Sequence, residues 1–237
     1  MLDPVVLRAR LADVRERIAR AAARAGRESS HIKLIAVSKT FSADAVRAAA
    51  LEGQIDFGEN KVQEAQGKRA ATMDLPIVWH LIGHLQSNKA RKAATEFDVI
   101  HSIDGPDLVR KIDAAAAAAG RRVTLLAQVD LAGETTKFGA LEGELLPIFH
   151  AAAECSSVAM KGLMIIPPAV DDAEGARPWF QKLRHVRDRL ASAGVSGEQL
   201  GELSMGMSHD FEVAVEEGAT MVRVGTAIFG NRGTVNA

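Results

Sequence analysis

Tyrosine is absent from the 237-residue sequence, and cysteine occurs once, at Cys155. A single thiol excludes an intrachain disulfide and favours a reducing compartment. The missing phenol removes one of the groups that move protons at active sites. No apolar stretch is long enough to span a bilayer. The first residues carry Asp3, Asp13 and Glu16 among arginines, without an apolar signal core. That argues against a secretory or transit peptide, so the cytoplasm is the expected location. An excess of one charge is missing too. Lys and Arg number 29 against 30 Asp and Glu, a net charge of −1, so no general attraction to nucleic acid or membrane is expected. What is present, 47% hydrophobic and 25% charged residues, suffices for a core that needs no metal or disulfide.

Leu7, Leu11, Val14 and Ile18 share one helical face, so the chain should open with an amphipathic helix over about 3–25, ended near Gly26. Its arginines are expected on a solvated face. Apolar strand candidates then follow at 33–38, 54–57, 77–82, 98–102, 122–130, 158–165, 200–203 and 221–224. Helical segments alternate with them at about 43–52, 61–72, 87–95, 106–119, 141–154, 172–193 and 208–217. Eight strands, each followed by a helix, make the count of a (β/α)8 TIM barrel. An open dinucleotide-binding sheet would carry a glycine fingerprint after its first strand, and that turn reads Ser38-Lys39-Thr40-Phe41. No linker divides the chain, so one domain is expected over 1–237, with the barrel over about 31–232.

In such barrels the chemistry sits at the C-terminal ends of the strands. Lys39 ends the first strand there, and an amine shielded from water near another cation becomes a nucleophile toward aldehydes. A solvated lysine is the plain alternative. After strands seven and eight come Ser204-Met205-Gly206-Met207-Ser208 and Gly225-Thr226, small and hydroxylated residues of the kind that cradle phosphate. Ser208 reads as a helix N-cap, with Asp210 in the first turn. Alternation along strand eight puts Arg223 with Met221 on the face opposite Val222 and Val224. A buried guanidinium needs a partner, either a carboxylate such as Glu202 or Asp130 or a ligand atom in the barrel mouth. His80 and His84 have the spacing of a metal pair on a helix, but the segment reads as a strand, so no metal is expected. An amine facing a phosphate cradle suits a sugar phosphate or pyridoxal 5′-phosphate. A planar cation in the mouth favours the second, with its pyridine nitrogen unprotonated and its electron sink weakened.

Ala36-Val37-Ser38-Lys39-Thr40, Phe57-Gly58-Glu59-Asn60, the run from Trp79 to Lys89, Gly162-Leu163-Met164, Leu203 to Ser208 and Val222 to Gly230 resemble the pyridoxal phosphate homeostasis proteins. The resemblance implies a barrel of the alanine racemase N-terminal type with an extra N-terminal helix. It implies Lys39 as the lysine that forms the internal aldimine with pyridoxal 5′-phosphate, and Arg223 facing the pyridine nitrogen. Ser204, Gly225 and Thr226 would hold the phosphate, with Asn60 and Met164 near the ring. It also implies a part in vitamin B6 homeostasis without catalytic turnover. Separately, a monomer is expected, and pyridoxal-phosphate-dependent apoenzymes are a candidate partner class, since an aldehyde held covalently could be handed over directly. The alternatives are an amino acid racemase-like enzyme using the same cofactor and a sugar-phosphate aldolase. Racemases of this type draw a tyrosine base from a second domain; no tyrosine is present, and the chain ends shortly after strand eight.

Overall fold

The computed structural model describes residues 3–133 and 138–230. The first helix, α1 (Pro4–Arg24), is capped by Asp3, whose side chain accepts from the Val5 amide at 2.9 Å, with Pro4 in the first turn. Its buried face is the one the periodicity marked, Leu7, Leu11, Val14 and Ile18, extended by Ala21 and Ala22.

Then β1 (Lys33–Val37), α2 (Ala43–Leu51), β2 (Asp56–Glu59), α3 (Val62–Ala71), β3 (Val78–Leu81), α4 (Ala90–Glu96), β4 (Val99–Ile103) and α5 (Pro106–Ala118) alternate. The second half runs β5 (Val123–Gln128), α6 (Leu145–Ala153), β6 (Val158–Met164), α7 (Arg177–Ser192), β7 (Glu202–Met207), α8 (Phe211–Glu216), β8 (Met221–Val224) and α9 (Thr226–Phe229). The strands are parallel and pair in chain order, and β1 closes on β8 with Ile35 opposite Arg223. This is the expected eight-stranded barrel. Residues 231–232 of its expected range lie outside the described residues.

α1 packs on α8 and α9, outside the barrel. Its arginines stand mostly on the solvated face, as expected, and make ion pairs there. Arg8 reaches Glu52, and Arg17 and Arg24 reach Glu212 and Glu216 on α8, at 2.8, 2.7 and 2.7 Å. Such exposed pairs contribute about 0–1 kcal/mol each. The apolar stripe beneath them is what docks the helix. No helix among the described residues is long and apolar enough to cross a membrane.

Three strands depart from expectation by two residues or more. β5 ends at Gln128, beyond which Val129 makes only an isolated bridge to Ala140. β2 begins two residues late because Gln54 is drawn inward, its side-chain amide donating to Leu34 O and Asp56 O at 2.7 and 2.8 Å. Ile55 beside it is exposed. β7 starts at Glu202 and runs on to Met207, through the segment read as a loop. Gly206 allows this. Its φ is +92°, a region that favours glycine, and a Cβ there would lie 2.5 Å from that of Ala214.

Candidate cofactor-binding site

A cavity of about 560 Å³ opens at the C-terminal ends of the strands. Lys39, Asn60, Arg223, Gly225 and Thr226 all line it, as do His84, Ser208 and His209. Its rim is apolar where Phe138, Ile166 and Met207 stand exposed. Phe138 stacks on the His84 ring, 3.5 Å between centroids and 9° from parallel.

Lys39 leaves β1 in a tight turn closed by the Phe41 amide donating to Ser38 O at 3.0 Å. Thr40 within that turn has φ +70°, unusual for a β-branched residue. Strain of this kind persists only where the surroundings hold it. They do so here through a buried cluster: Lys68 Nζ donates to Ser38 O at 2.7 Å and to Glu59 Oε1 at 2.6 Å, and Ser38 Oγ donates to the same carboxylate oxygen at 2.6 Å. Burial raises the Glu59 carboxyl above its ordinary range, against the opposing pull of Lys68 and Ser38. Among the described residues Lys39 Nζ itself makes no hydrogen bond and no ion pair.

Asn60 follows β2 and backs onto Gly83. A Cβ on Gly83 would sit 2.2 Å from Asn60 O, so the two strand ends can approach this closely only with glycine there. Arg223 forms the floor, almost wholly buried, as alternation along β8 requires. Its partners are neither carboxylate considered above. Nη1 donates to Ser204 Oγ at 2.7 Å and Nη2 to Ile165 O at 2.8 Å. Glu202 instead accepts from the Thr220 hydroxyl, and Asp130 from the Ala132 and Gly133 amides. Burial lowers the Arg223 guanidinium to about 10, partly offset by Asp210, so it stays a cation at neutral pH.

Ser204 and Met164, both expected beside the cofactor, do not line the cavity. Both are buried: Ser204 bonds to Arg223 and His101, and Met164 joins an apolar cluster with Ile35, Val99, Leu126 and Met221. The serine hydroxyl that lines the cavity is four residues on. Ser208 does not cap α8, where Asp210 holds the N-cap position. Ser208 Oγ accepts from the Gly225 and Ala227 amides at 3.1 and 3.4 Å, tying the turn after β7 to the turn after β8. His80 is buried in the barrel interior and bonded on both ring nitrogens.

A family model described as alanine racemase, N-terminal domain matches residues 10–233. Over 223 residues the chain is 43% identical to the pyridoxal phosphate homeostasis protein of Aquifex aeolicus, covering 94% of this chain and 97% of that one. The protein of the same name from Escherichia coli K12 is 39% identical over 225 residues, with 94% and 95% covered. The solved structure of PipY from Synechococcus elongatus with PLP bound is 40% identical, with a TM-score of 0.83, covering 94% of this chain and 100% of that one. Alanine racemase of Clostridium difficile, at 15% identity and a TM-score of 0.74, shares the fold; this chain is covered in full and that one to 59%.

Proposed function

Because this chain belongs to the pyridoxal phosphate homeostasis protein family and carries the alanine racemase N-terminal domain, we propose that it holds pyridoxal 5′-phosphate through Lys39 and keeps the free aldehyde scarce, without turning over amino acids. The observation that carries this is the placement of a lysine amine with no partner among the described residues, a buried cation and a hydroxyl-bearing double turn around one cavity. The groups match the cofactor's three handles. Lys39 Nζ condenses with the aldehyde and releases water. Arg223 offers an N–H to the pyridine nitrogen and, as a cation that does not give up its proton, keeps that nitrogen unprotonated. Ser208, Thr226 and the Gly225 turn hold the phosphate, with Asn60 beside the ring. The cofactor, when bound, supplies an electron sink for carbanion chemistry, and an unprotonated ring weakens it.

Ser204 and Met164 enter this account through the barrel interior. Ser204 holds Arg223, and Met164 packs beneath the floor. The recipients of released cofactor are pyridoxal-phosphate-dependent apoenzymes, and the chain works as a cytoplasmic monomer. Titrating the purified protein with pyridoxal 5′-phosphate tests the reading. A new absorption band is expected that saturates at one equivalent and is missing in Lys39→Ala. Absence of any band in the wild type would overturn it.

One observation favours a second reading, an amino acid racemase-like enzyme. The His84 imidazole lines the cavity, with Nδ1 3.7 Å from Asp104, and is available as an acid–base group where no tyrosine exists. Sustained interconversion of L- and D-amino acids by the loaded protein, lost in His84→Ala, would establish that reading in place of the first.

A further inference from the structure

A chain of hydrogen bonds crosses the barrel interior from Arg223 to Asp56. Arg223 Nη1 donates to Ser204 Oγ at 2.7 Å, and Ser204 Oγ lies 2.9 Å from His101 Nδ1. His101 Nε2 lies 2.9 Å from His80 Nδ1, and His80 Nε2 lies 2.8 Å from Asp56 Oδ1. The members come from β8, β7, β4, β3 and β2, and Ser204, His101 and His80 are each 0% exposed.

Both ends of this chain are chemically one-sided. A guanidinium only donates and a carboxylate only accepts. Ser204 therefore accepts from Arg223, and its single proton goes to His101 Nδ1. A neutral His101 then carries its proton on Nε2 and donates to His80 Nδ1. His80 in turn carries its proton on Nε2 and donates to Asp56. With both imidazoles neutral this is the one arrangement that leaves no bond facing the wrong way. One further proton permits a different arrangement. In it His80 is an imidazolium paired with Asp56, His101 is protonated on Nδ1, and Ser204 accepts twice with its own proton unplaced.

We propose that Ser204, His101 and His80 form a one-way relay, with both histidines locked as neutral Nε2–H tautomers, that positions Arg223 for the cavity. The charged groups facing the histidines are Asp56 on β2, Lys33 on β1, Asp98 ahead of β4 and Arg223 on β8. Burial pushes both imidazoles below their ordinary range, against the opposing pull of Asp56 at His80 and furthest at His101, where His80, Arg223 and Lys33 add to it. The relay explains why a buried arginine does without a carboxylate within ion-pair distance among the described residues. Successive dipoles turn their negative ends toward the guanidinium, while the formal anion stays at the other end of the relay. A carboxylate placed directly on Arg223 would occupy N–H groups that the relay leaves to the cavity. Ser204, His101 and His80 are thus positioning residues, and their effect on a bound cofactor rests on the function proposed above.

The relay is tested first without cofactor. In protein labelled with ¹⁵N-histidine, long-range ¹H–¹⁵N correlations at neutral pH should show His80 and His101 as neutral Nε2–H tautomers. An imidazolium at His80 with Nδ1–H at His101, or averaging between tautomers, would overturn the proposal. The second arm uses loaded protein. His101→Leu cuts the relay on both sides and should shift the band of bound pyridoxal 5′-phosphate while borohydride still fixes the cofactor to Lys39. His101→Gln keeps one acceptor for Ser204 and one donor for His80, and should return the band toward wild type. An unshifted band in His101→Leu would remove the relay from the site, even with the histidine tautomers as described. Failure of borohydride to fix cofactor in wild type would defeat the proposed function while leaving the tautomer result standing.

Discussion

The two faces of the barrel wall are built to opposite rules. Outward, Phe57, Trp79, Leu125, Leu163 and Val222 merge with the helices' buried stripes into one continuous apolar layer. Inward, a small apolar cluster around Ile35, Leu126 and Met164 lies beside a run of buried polar groups, His80, His101, Ser204 and Arg223. The outer layer stabilises by area removed from water and is indifferent to which apolar side chain supplies it. The inner set stabilises little, because each buried polar group costs free energy until its partner is in place. What the inner set achieves is a cation and an amine held in fixed positions at the barrel mouth.

Substitutions on the two faces should therefore separate stability from cofactor behaviour. Phe180→Ala removes a fully buried outer-layer ring from α7 and should cost about 3–5 kcal/mol by denaturant unfolding, with the cofactor band of the folded protein unmoved. A moved band would mean that the layers are coupled. Lys68→Met leaves Glu59 without its cation at 0% exposure and should cost about 3 kcal/mol. Here, unlike the first case, the band should change as well, because the same ammonium holds Ser38 O beside Lys39. Stability lost with an unchanged band would show that the Lys68 cluster supports the fold and not the lysine turn.

Ser208→Ala should cost about 1 kcal/mol of stability, as the Gly225 and Ala227 amides lose their shared acceptor, and should weaken pyridoxal 5′-phosphate binding by about 1.5–3 kcal/mol, one hydrogen bond to a charged group. Equal affinity would take Ser208 out of the site. The smallest effect is a pH slope. His80 and His101 are held below their ordinary value of 6.5, so the unfolded chain binds protons that the folded chain does not. Stability should accordingly fall as pH drops below 6.5, by up to about 1.4 kcal/mol per pH unit for each histidine, until the folded-state value is reached. His101→Gln should reduce that slope by one histidine's share. An unchanged slope would mean that His101 is charged in the folded state.

The outer face was legible in the sequence because its signal is redundant. Apolar runs and helical stripes mark all eight strands and the helices between them, with errors at the edges: β2, β5 and β7 differ by two residues or more, and α4, α6, α7 and α8 begin three to five residues later than the pattern suggests. Position alone also placed Lys39, Gly225 and Thr226 at the cavity, the family resemblance added Asn60, and alternation turned Arg223 inward. The interior was harder, since single residues decide it. Ser204 and Ser208 stand four apart in a glycine-containing run, and only the extension of β7 through a positive-φ Gly206 assigns the first to the relay and the second to the cavity. Ser208 two residues before Asp210 imitates a helix cap, although Asp210 takes that position and bonds the Met207 amide at 2.6 Å. His101 went unremarked inside an apolar strand. It shares the inward parity of Val99, and a polar residue at an inward position of β4 was the available signal.

The central claim is that one amine, and not the general lysine content of the surface, captures the aldehyde. Loading the protein with pyridoxal 5′-phosphate, reducing with borohydride and mapping the adduct by peptide mass spectrometry tests it most directly. The account predicts one modified residue, Lys39, and no modified peptide in Lys39→Ala. Cofactor spread over several surface lysines, or retained undiminished in Lys39→Ala, would contradict it.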